Sequence, residues 1–241
     1  MGRLSNITDE EWQNRVELAA CYHLANHFNM SDIIWNHITA KTYSQKDTLL
    51  INKFGLRYDE VTASNLLEID LDGNIINGEG EINQTGYVIH GAIHKNRKDI
   101  HCVMHTHSRA GLAVSCFKEG LKPMIQDSAI FYNRISYHEW EGMSTDSEEC
   151  DRLSKSLGLN NVMILRNHGL LTCGESIAEA FMLMYLALFA GQGSDIEQAI
   201  SLVDRATQIS PELAHDFLYG RVYVDGKYLT GGWIVEFNRL A

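Results

Sequence analysis

The chain has 241 residues, 45% of them hydrophobic and 21% charged, and a net charge of -11. This is the balance of a soluble globular protein large enough to bury a core without disulfides. The acidic surplus argues against a broad nucleic-acid or anionic-membrane surface, which would need a basic face, and leaves a small-molecule substrate open. The start, MGRLSNITDEEW, carries no apolar secretion-signal core. The five cysteines, an odd number with no C-x-x-C pair, read as reduced thiols of a cytoplasmic protein. Cys102 and Cys173 fall in apolar runs and are expected to pack.

Thr8 and Glu11 have capping-box spacing and predict a helix to about Met30, with Trp12, Val16, Ala19 and Ala20 inward. Extended pieces are expected at Asn36 to Thr42 and Leu49 to Asn52. A hairpin is expected from Leu66 to Leu71 and Asn74 to Ile76, around Asp72-Gly73. A helix over Gln84 to His94 puts Tyr87, Ile89 and Ile93 in its apolar set, and a strand follows at Ile100 to His107. Then come a short helix at Ala110 to Phe117, an extended run at Ala129 to Tyr137, and a helix opened by Thr145 and Glu148 that ends near Leu157. The strand VMILRN is broken at His168-Gly169 and resumes over Leu170 to Cys173. Ser176 and Glu179 open a long helix whose apolar stretch, Ala180 to Ala190, is too short for a membrane span. Further helices are expected at Asp195 and after Ser210-Pro211, while Val222 to Val224 and Trp233 to Phe237 are harder to assign. With no repeat or linker visible, we expect one domain over residues 1–241. Its mixed helices and strands predict an α/β layered fold.

Chemistry concentrates in two segments. In IHCVMHTH, residues two apart share a strand face, so His101, Val103, His105 and His107 point one way and Cys102 and Met104 the other. His105 and His107, about 7 Å apart at Cα, can converge on one ion through bonds of about 2.0–2.1 Å. The strand Val162 to Leu165 ends in Arg166-Asn167-His168-Gly169, where glycine permits the unusual turn that would aim His168 into a site. Each segment alone also fits a polar strand end or a turn histidine; the two together predict a three-histidine divalent-metal site. His90 and His94, four apart on a helix, are a further possible metal pair. His94 is otherwise expected at a polar edge and His90 behind the ligands.

The segments HTHSRAGLAVS and LRNHGLLTCGES resemble the two signatures of the class II aldolase/adducin family. EINQTGYVIHGAIHKNRKDIHCVMHTHSRAG resembles its adducin-like branch, and FGLRYDEVTASNLLEIDLDGN also fits. The resemblance covers roughly residues 10 to 195. It implies a three-layer αβα sandwich with a central mixed or antiparallel sheet, assembled as a homotetramer. It implies His105, His107 and His168 as ligands of a divalent metal, zinc first, with Fe, Mn or Co as alternatives. It also implies a glutamate on the preceding helix as ligand and acid/base, but the aligned position here is Gly86. At the family's phosphate-binding positions Asn36 and Gly55 remain. Phe54 replaces a polar residue, and Gln84 and Thr85 replace a serine pair.

Candidates for the missing proton carrier are Glu81 (with Glu79), His138 and Tyr137, with Glu139 and Tyr132 nearby. The chemistry expected is cleavage of a C–C bond, by retro-aldol reaction or decarboxylation, in a small carbonyl or hydroxy substrate. A non-catalytic adducin-like assembly domain and a three-histidine Fe(II) oxygenase are the competing readings.

Overall fold

The computed structural model describes residues 3–4, 7–44, 47–123, 125–141, 147–191, 221–224 and 227–230. The expected elements at Asp195, Pro211 and Trp233 to Phe237, and the Thr145 cap, lie outside these residues.

The helices are α1 (Asp9–His27), α2 (Gln84–Asn96), α3 (Arg109–Cys116), α4 (Gln126–Ile130), α5 (Ser147–Leu157) and α6, which the described residues follow over 177–191. The strands are β1 (His37–Lys41), β2 (Thr48–Ile51), β3 (Leu67–Asp70), β4 (Ile75–Asn77), β5 (Cys102–Thr106), β6 (Ile135–His138), β7 (Val162–Leu165) and β8 (Gly169–Gly174); β9 (Arg221–Val224) and β10 (Lys227–Thr230) form a separate ribbon. The eight-stranded sheet has the order β4-β3-β2-β1-β5-β8-β7-β6. Every pairing is antiparallel except β6 with β7, so the sheet is mixed.

Strand alternation sends side chains into two layers. Cys102, Met104 and Ile38 pack with Leu18, Tyr22, Val114 and Met184 from α1, α3 and α6. Val103, Met163 and Leu171 pack on the opposite side with Ile89, Ile93, Leu153 and Leu157 from α2 and α5. The result is the expected αβα sandwich. Cys102 and Cys173 are both fully buried in it.

Two expectations need correction. The inward face of α1 is not the one its apolar residues suggested: Ala19 is buried, but Trp12 is half-exposed and Val16 and Ala20 face outward. The buried face instead begins with Glu11, Asn14 and Arg15 and continues through Leu18, Cys21, Tyr22 and Ala25. The three polar side chains serve backbone that the sheet leaves unpaired. Asn14 donates to the Lys41 carbonyl at 2.9 Å, Arg15 to the Leu66 carbonyl at 3.0 Å, and Glu11 accepts from the Tyr43 amide at 2.9 Å. With Glu11 so engaged, Thr8 makes only the forward half of the capping box, accepting from the Glu11 amide. The run Ala129 to Tyr137 is also not all extended. Ser128 accepts from the Ile125 amide and donates back to its carbonyl, closing the turn of α4. Asn133 then takes a left-handed φ of 58°, and extension begins only at Ile135.

Candidate metal centre

The antiparallel register of β1 on β5 puts His37 opposite His105 and Thr39 opposite Val103. At the end of β7, Asn167 adopts φ 56° and Gly169 φ 156°. A Cβ on Gly169 would fall 2.5 Å from the Thr106 carbonyl, so glycine lets this turn press against β5 and carry His168 beside His105 and His107. Ligand atoms of the three histidines lie within 4.8 Å of one another.

Their hydrogen bonds define the tautomers. His105 Nδ1 lies 2.9 Å from the Leu170 carbonyl and His107 Nδ1 2.9 Å from a carboxylate oxygen of Asp32. Both partners only accept, so each Nδ1 carries the proton and each neutral ring has a bare Nε2. Those two Nε2 atoms face each other at 3.0 Å. Two lone pairs so close repel unless a cation lies between them. Tetrahedral coordination with bonds of about 2.05 Å would set such nitrogens about 3.3 Å apart. Burial, reinforced by the neighbouring histidines, holds His105 well below the usual imidazole range. Burial and then His107 bring His168 down to about 4. Neutral rings with free lone pairs are what a divalent cation needs, and the donor set fits one.

Asp32, which sequence reasoning passed over, orients His107. The next residue, Ile33, has φ 47°, an uncommon conformation for a β-branched side chain. The Trp35 amide closes the turn on the Asp32 carbonyl at 2.9 Å. Trp140, also missed, sets its ring edge-on to His168 with centroids 5.4 Å apart. Neither residue lies in a pattern that marks it; both arrive from distant loops.

The other candidates fall as follows. Asn36 is 2% exposed, and neither its amide oxygen nor its nitrogen has a hydrogen-bond partner among the described residues. Gly55 has φ 90° and open space where a side chain would stand. Gln84 is exposed in the first turn of α2, and Thr85 follows it there. Glu79 and Glu81 are exposed on the preceding loop, where Glu81 uses its carbonyl to accept from the Phe54 amide. His138 is buried against α5, its Nδ1 at 3.1 Å from the Ser156 hydroxyl and its Nε2 3.8 Å from Glu141. Tyr137 turns to the other layer, where its hydroxyl accepts from the Leu121 amide and Arg166 stacks 4.3 Å over its ring. None of these described contacts of Glu81, His138 or Tyr137 reaches the three histidines. Tyr132 is exposed, and Glu139 is exposed with Arg166 at 3.8 Å.

His90 and His94 do not form a metal pair. Both are fully buried, and each ring places a nitrogen 2.8 Å from the Thr39 hydroxyl between them. His94 is therefore in the interior and not at a polar edge. Gly86, where the resemblance led us to look for a carboxylate, has no room for any side chain: a Cβ would lie 1.9 Å from His37 Nε2.

A three-layer α/β sandwich with three converging histidines at adjacent strand ends defines a class of metal-site fold, and the comparisons name it. The profile described as "Class II Aldolase and Adducin N-terminal domain" matches residues 16–191. The chain belongs to the class II aldolase/adducin family. It is 47% identical over 182 residues to a candidate class 2 aldolase protein of Pseudomonas aeruginosa, covering 75% of this chain and 70% of that one. It is 44% identical over 171 residues to alpha-adducin of Rattus norvegicus, covering 69% of this chain but 23% of the adducin. A crystal structure of an aldolase II superfamily protein from Pseudomonas syringae superposes with a TM-score of 0.77 at 44% identity, covering 78% and 76% of the two chains. Among the described residues, no helix is long and apolar enough to cross a membrane.

Proposed function

We propose that the chain is a metal-dependent lyase that cleaves a C–C bond of a small carbonyl or hydroxy substrate, by retro-aldol reaction or decarboxylation. The observation that carries this reading is the pair of bare Nε2 atoms, on His105 and His107, facing each other at 3.0 Å with His168 alongside. His105, His107 and His168 would hold the ion, zinc first, with Fe, Mn or Co as alternatives. Bound there, a divalent ion supplies Lewis acidity: it polarises a carbonyl and stabilises the enolate left when the C–C bond breaks. The chain's own groups do the rest. Leu170 and Asp32 keep the two imidazoles in their ligating tautomers. Asn36, with an unpartnered buried amide, offers a donor and an acceptor to substrate, and the family resemblance adds Gly55, Gln84 and Thr85 as further substrate-binding positions of this reading. Assembly as a homotetramer and a cytoplasmic location belong to this reading, as does one domain over the whole chain.

A second reading is a non-catalytic assembly domain of the adducin kind, favoured by the alpha-adducin match and by Gly86 at the position of the expected acid/base. Metal analysis separates the two. Protein purified without added metal should carry a stoichiometric divalent ion that the His105→Ala/His107→Ala double variant lacks. If no ion is bound, and none of Zn, Fe, Mn or Co raises the melting temperature, the lyase reading is wrong. Iron loading with oxygen consumption would point instead to an oxygenase.

A further inference from the structure

Beside the three ligands lies a second histidine system that the reading above leaves unused. His37 Nδ1 is 2.9 Å from His90 Nε2; His90 Nδ1 is 2.8 Å from Thr39 Oγ1; Thr39 Oγ1 is 2.8 Å from His94 Nε2. The three rings are at most 2% exposed and Thr39 is fully buried. At one end, His94 Nδ1 has no partner among the described residues. At the other, His37 Nε2 points at Gly86, and its ring centroid is 5.4 Å from that of His105.

Proton counting orders this chain. Thr39 has one hydroxyl proton and no third partner among the described residues, so it donates to one ring and accepts from the other. Either order leaves one N–H and one lone pair unpaired, and the two differ in where the N–H falls. If Thr39 donates to His94, the unpaired N–H is on His94 Nδ1, sealed where nothing can accept it. If it donates to His90, His94 Nδ1 is a bare lone pair and the N–H falls on His37 Nε2, at the pocket end, where a ligand oxygen can accept it. The second order runs His94 Nε2–H to Thr39, Thr39 O–H to His90 Nδ1, and His90 Nε2–H to His37 Nδ1. His37 is then left with its proton on Nε2. The hydrogen bonds of these buried rings run only to one another and to Thr39, with no carboxylate to balance a charge, so the rings are neutral in this order.

We propose that His37 is a hydrogen-bond donor of the metal pocket: a neutral imidazole, fixed as its Nε2–H tautomer by His90, Thr39 and His94, that donates to an oxygen anion of the bound substrate. This rests on the reading of His105, His107 and His168 as a metal centre. The Nε2–H has no acceptor among the described residues although its ring is 2% exposed, so it is a donor waiting for a ligand oxygen. The ligand class that fits is a small molecule bearing an oxyanion, a carboxylate or an enediolate, next to the cation. Through Thr39 and α2, residues remote from the substrate would set the polarity of a group that touches it. Thr39, His90 and His94 are positioning residues in this scheme.

The test is nitrogen-15 long-range NMR of the imidazoles, in metal-free and zinc-loaded protein, with acetohydroxamate as the oxyanion probe. His37 and His90 should both show a protonated Nε2 and a pyridine-like Nδ1 in the metal-free protein. Thr39→Val, which keeps the shape and removes the hydroxyl, should mix the tautomers of His37. It should weaken acetohydroxamate binding to the zinc form by about tenfold or more, one hydrogen bond to a charged group, while leaving zinc affinity unchanged. A protonated Nδ1 on His37 in the wild-type protein overturns the proposal, and that measurement needs no variant to fold. So does Thr39→Val protein whose His37 tautomers mix while its acetohydroxamate affinity stays within twofold of wild type. If zinc does not bind, the metal reading fails and the donor role goes with it, while the tautomer order read in metal-free protein tells the two failures apart.

Discussion

Replacing Gly86 by alanine sets two effects of opposite sign against each other. Gly86 is the third residue of α2, and in an unencumbered helix alanine there would add up to about 1 kcal/mol. The structure predicts the reverse. The new Cβ would fall 1.9 Å from His37 Nε2 and 2.1 Å from Cδ2, so the ring must retreat by about 1.5 Å to reach ordinary contact. His37 is held by its 2.9 Å bond to His90 and is 2% exposed, so retreat breaks that bond with no solvent to replace it. Leaving the His90 N–H unpaired costs about 1–3 kcal/mol, and crowding the packed layer costs about as much again. The net expectation is a loss of about 1–5 kcal/mol, read as a lower urea midpoint at unchanged slope. In a His37→Ala background the clash is gone, and the same Gly86→Ala change should be neutral or stabilising. Gly86→Ala protein as stable as wild type would refute the placement of His37 and everything argued from it.

Three further outcomes follow from named contacts. Asp32→Asn should weaken metal binding about 10- to 100-fold, measured by competition with a chromogenic chelator; unchanged affinity would mean that Asp32 does not orient His107. Metal-free protein should lose stability as pH falls from about 6.5 to 5. Burial depresses folded His168 to about 4 and His94 to about 3, so the unfolded chain takes up their protons first. Their contribution is whole above the unfolded value and drains away on acidification, at about 1.4 kcal/mol per pH unit for each group; a flat urea midpoint over that window would count against it. Arg15→Ala should cost about 3–5 kcal/mol, because Arg15 is 1% exposed, donates to the Leu66 carbonyl and lies 3.4 Å from Glu11. A melting temperature within a degree of wild type would show that the inner face of α1 has been misread.

The features legible in the sequence were those carried by local spacing. His105 and His107 sit two apart on a strand, and His168 ends an apolar strand before a glycine, so the ligands stood out without a structure. The face of α1 did not, because the periodicity argument equates apolar with inward. Here the inward positions of its first two turns are taken by Glu11, Asn14 and Arg15, whose partners are backbone carbonyls and amides 27 to 51 residues away, and only from Leu18 on is the inward face apolar. The boundary at Ile135 was hidden for a related reason: the left-handed Asn133 that ends the turn resembles any polar residue in an extended run.

The His37 chain was illegible for a different reason, and the difference is instructive. His37 and Thr39 are two apart on β1, and His90 and His94 are four apart on α2, so each pair shares one face of its own element. Both spacings are visible in the sequence, and each alone is weak, since either suits a polar surface equally well. What joins them is the register that sets His37 opposite His105 and Thr39 opposite Val103, together with the packing of α2 over that face. Neither follows from nearby residues. Once joined, the four groups explain one another. Three buried imidazoles would each leave costly unpaired atoms if they stood apart. In line through one hydroxyl they leave one sealed nitrogen without a partner, at His94, and bring the far nitrogen of His37 to the pocket beside the metal ligands. The glycine at 86 is part of the same arrangement. Where a larger residue would crowd His37, glycine clears the space that lets the chain end inside the pocket. A substitution at Gly86 and one at Thr39, on different elements, should therefore act on the same atom, His37 Nε2.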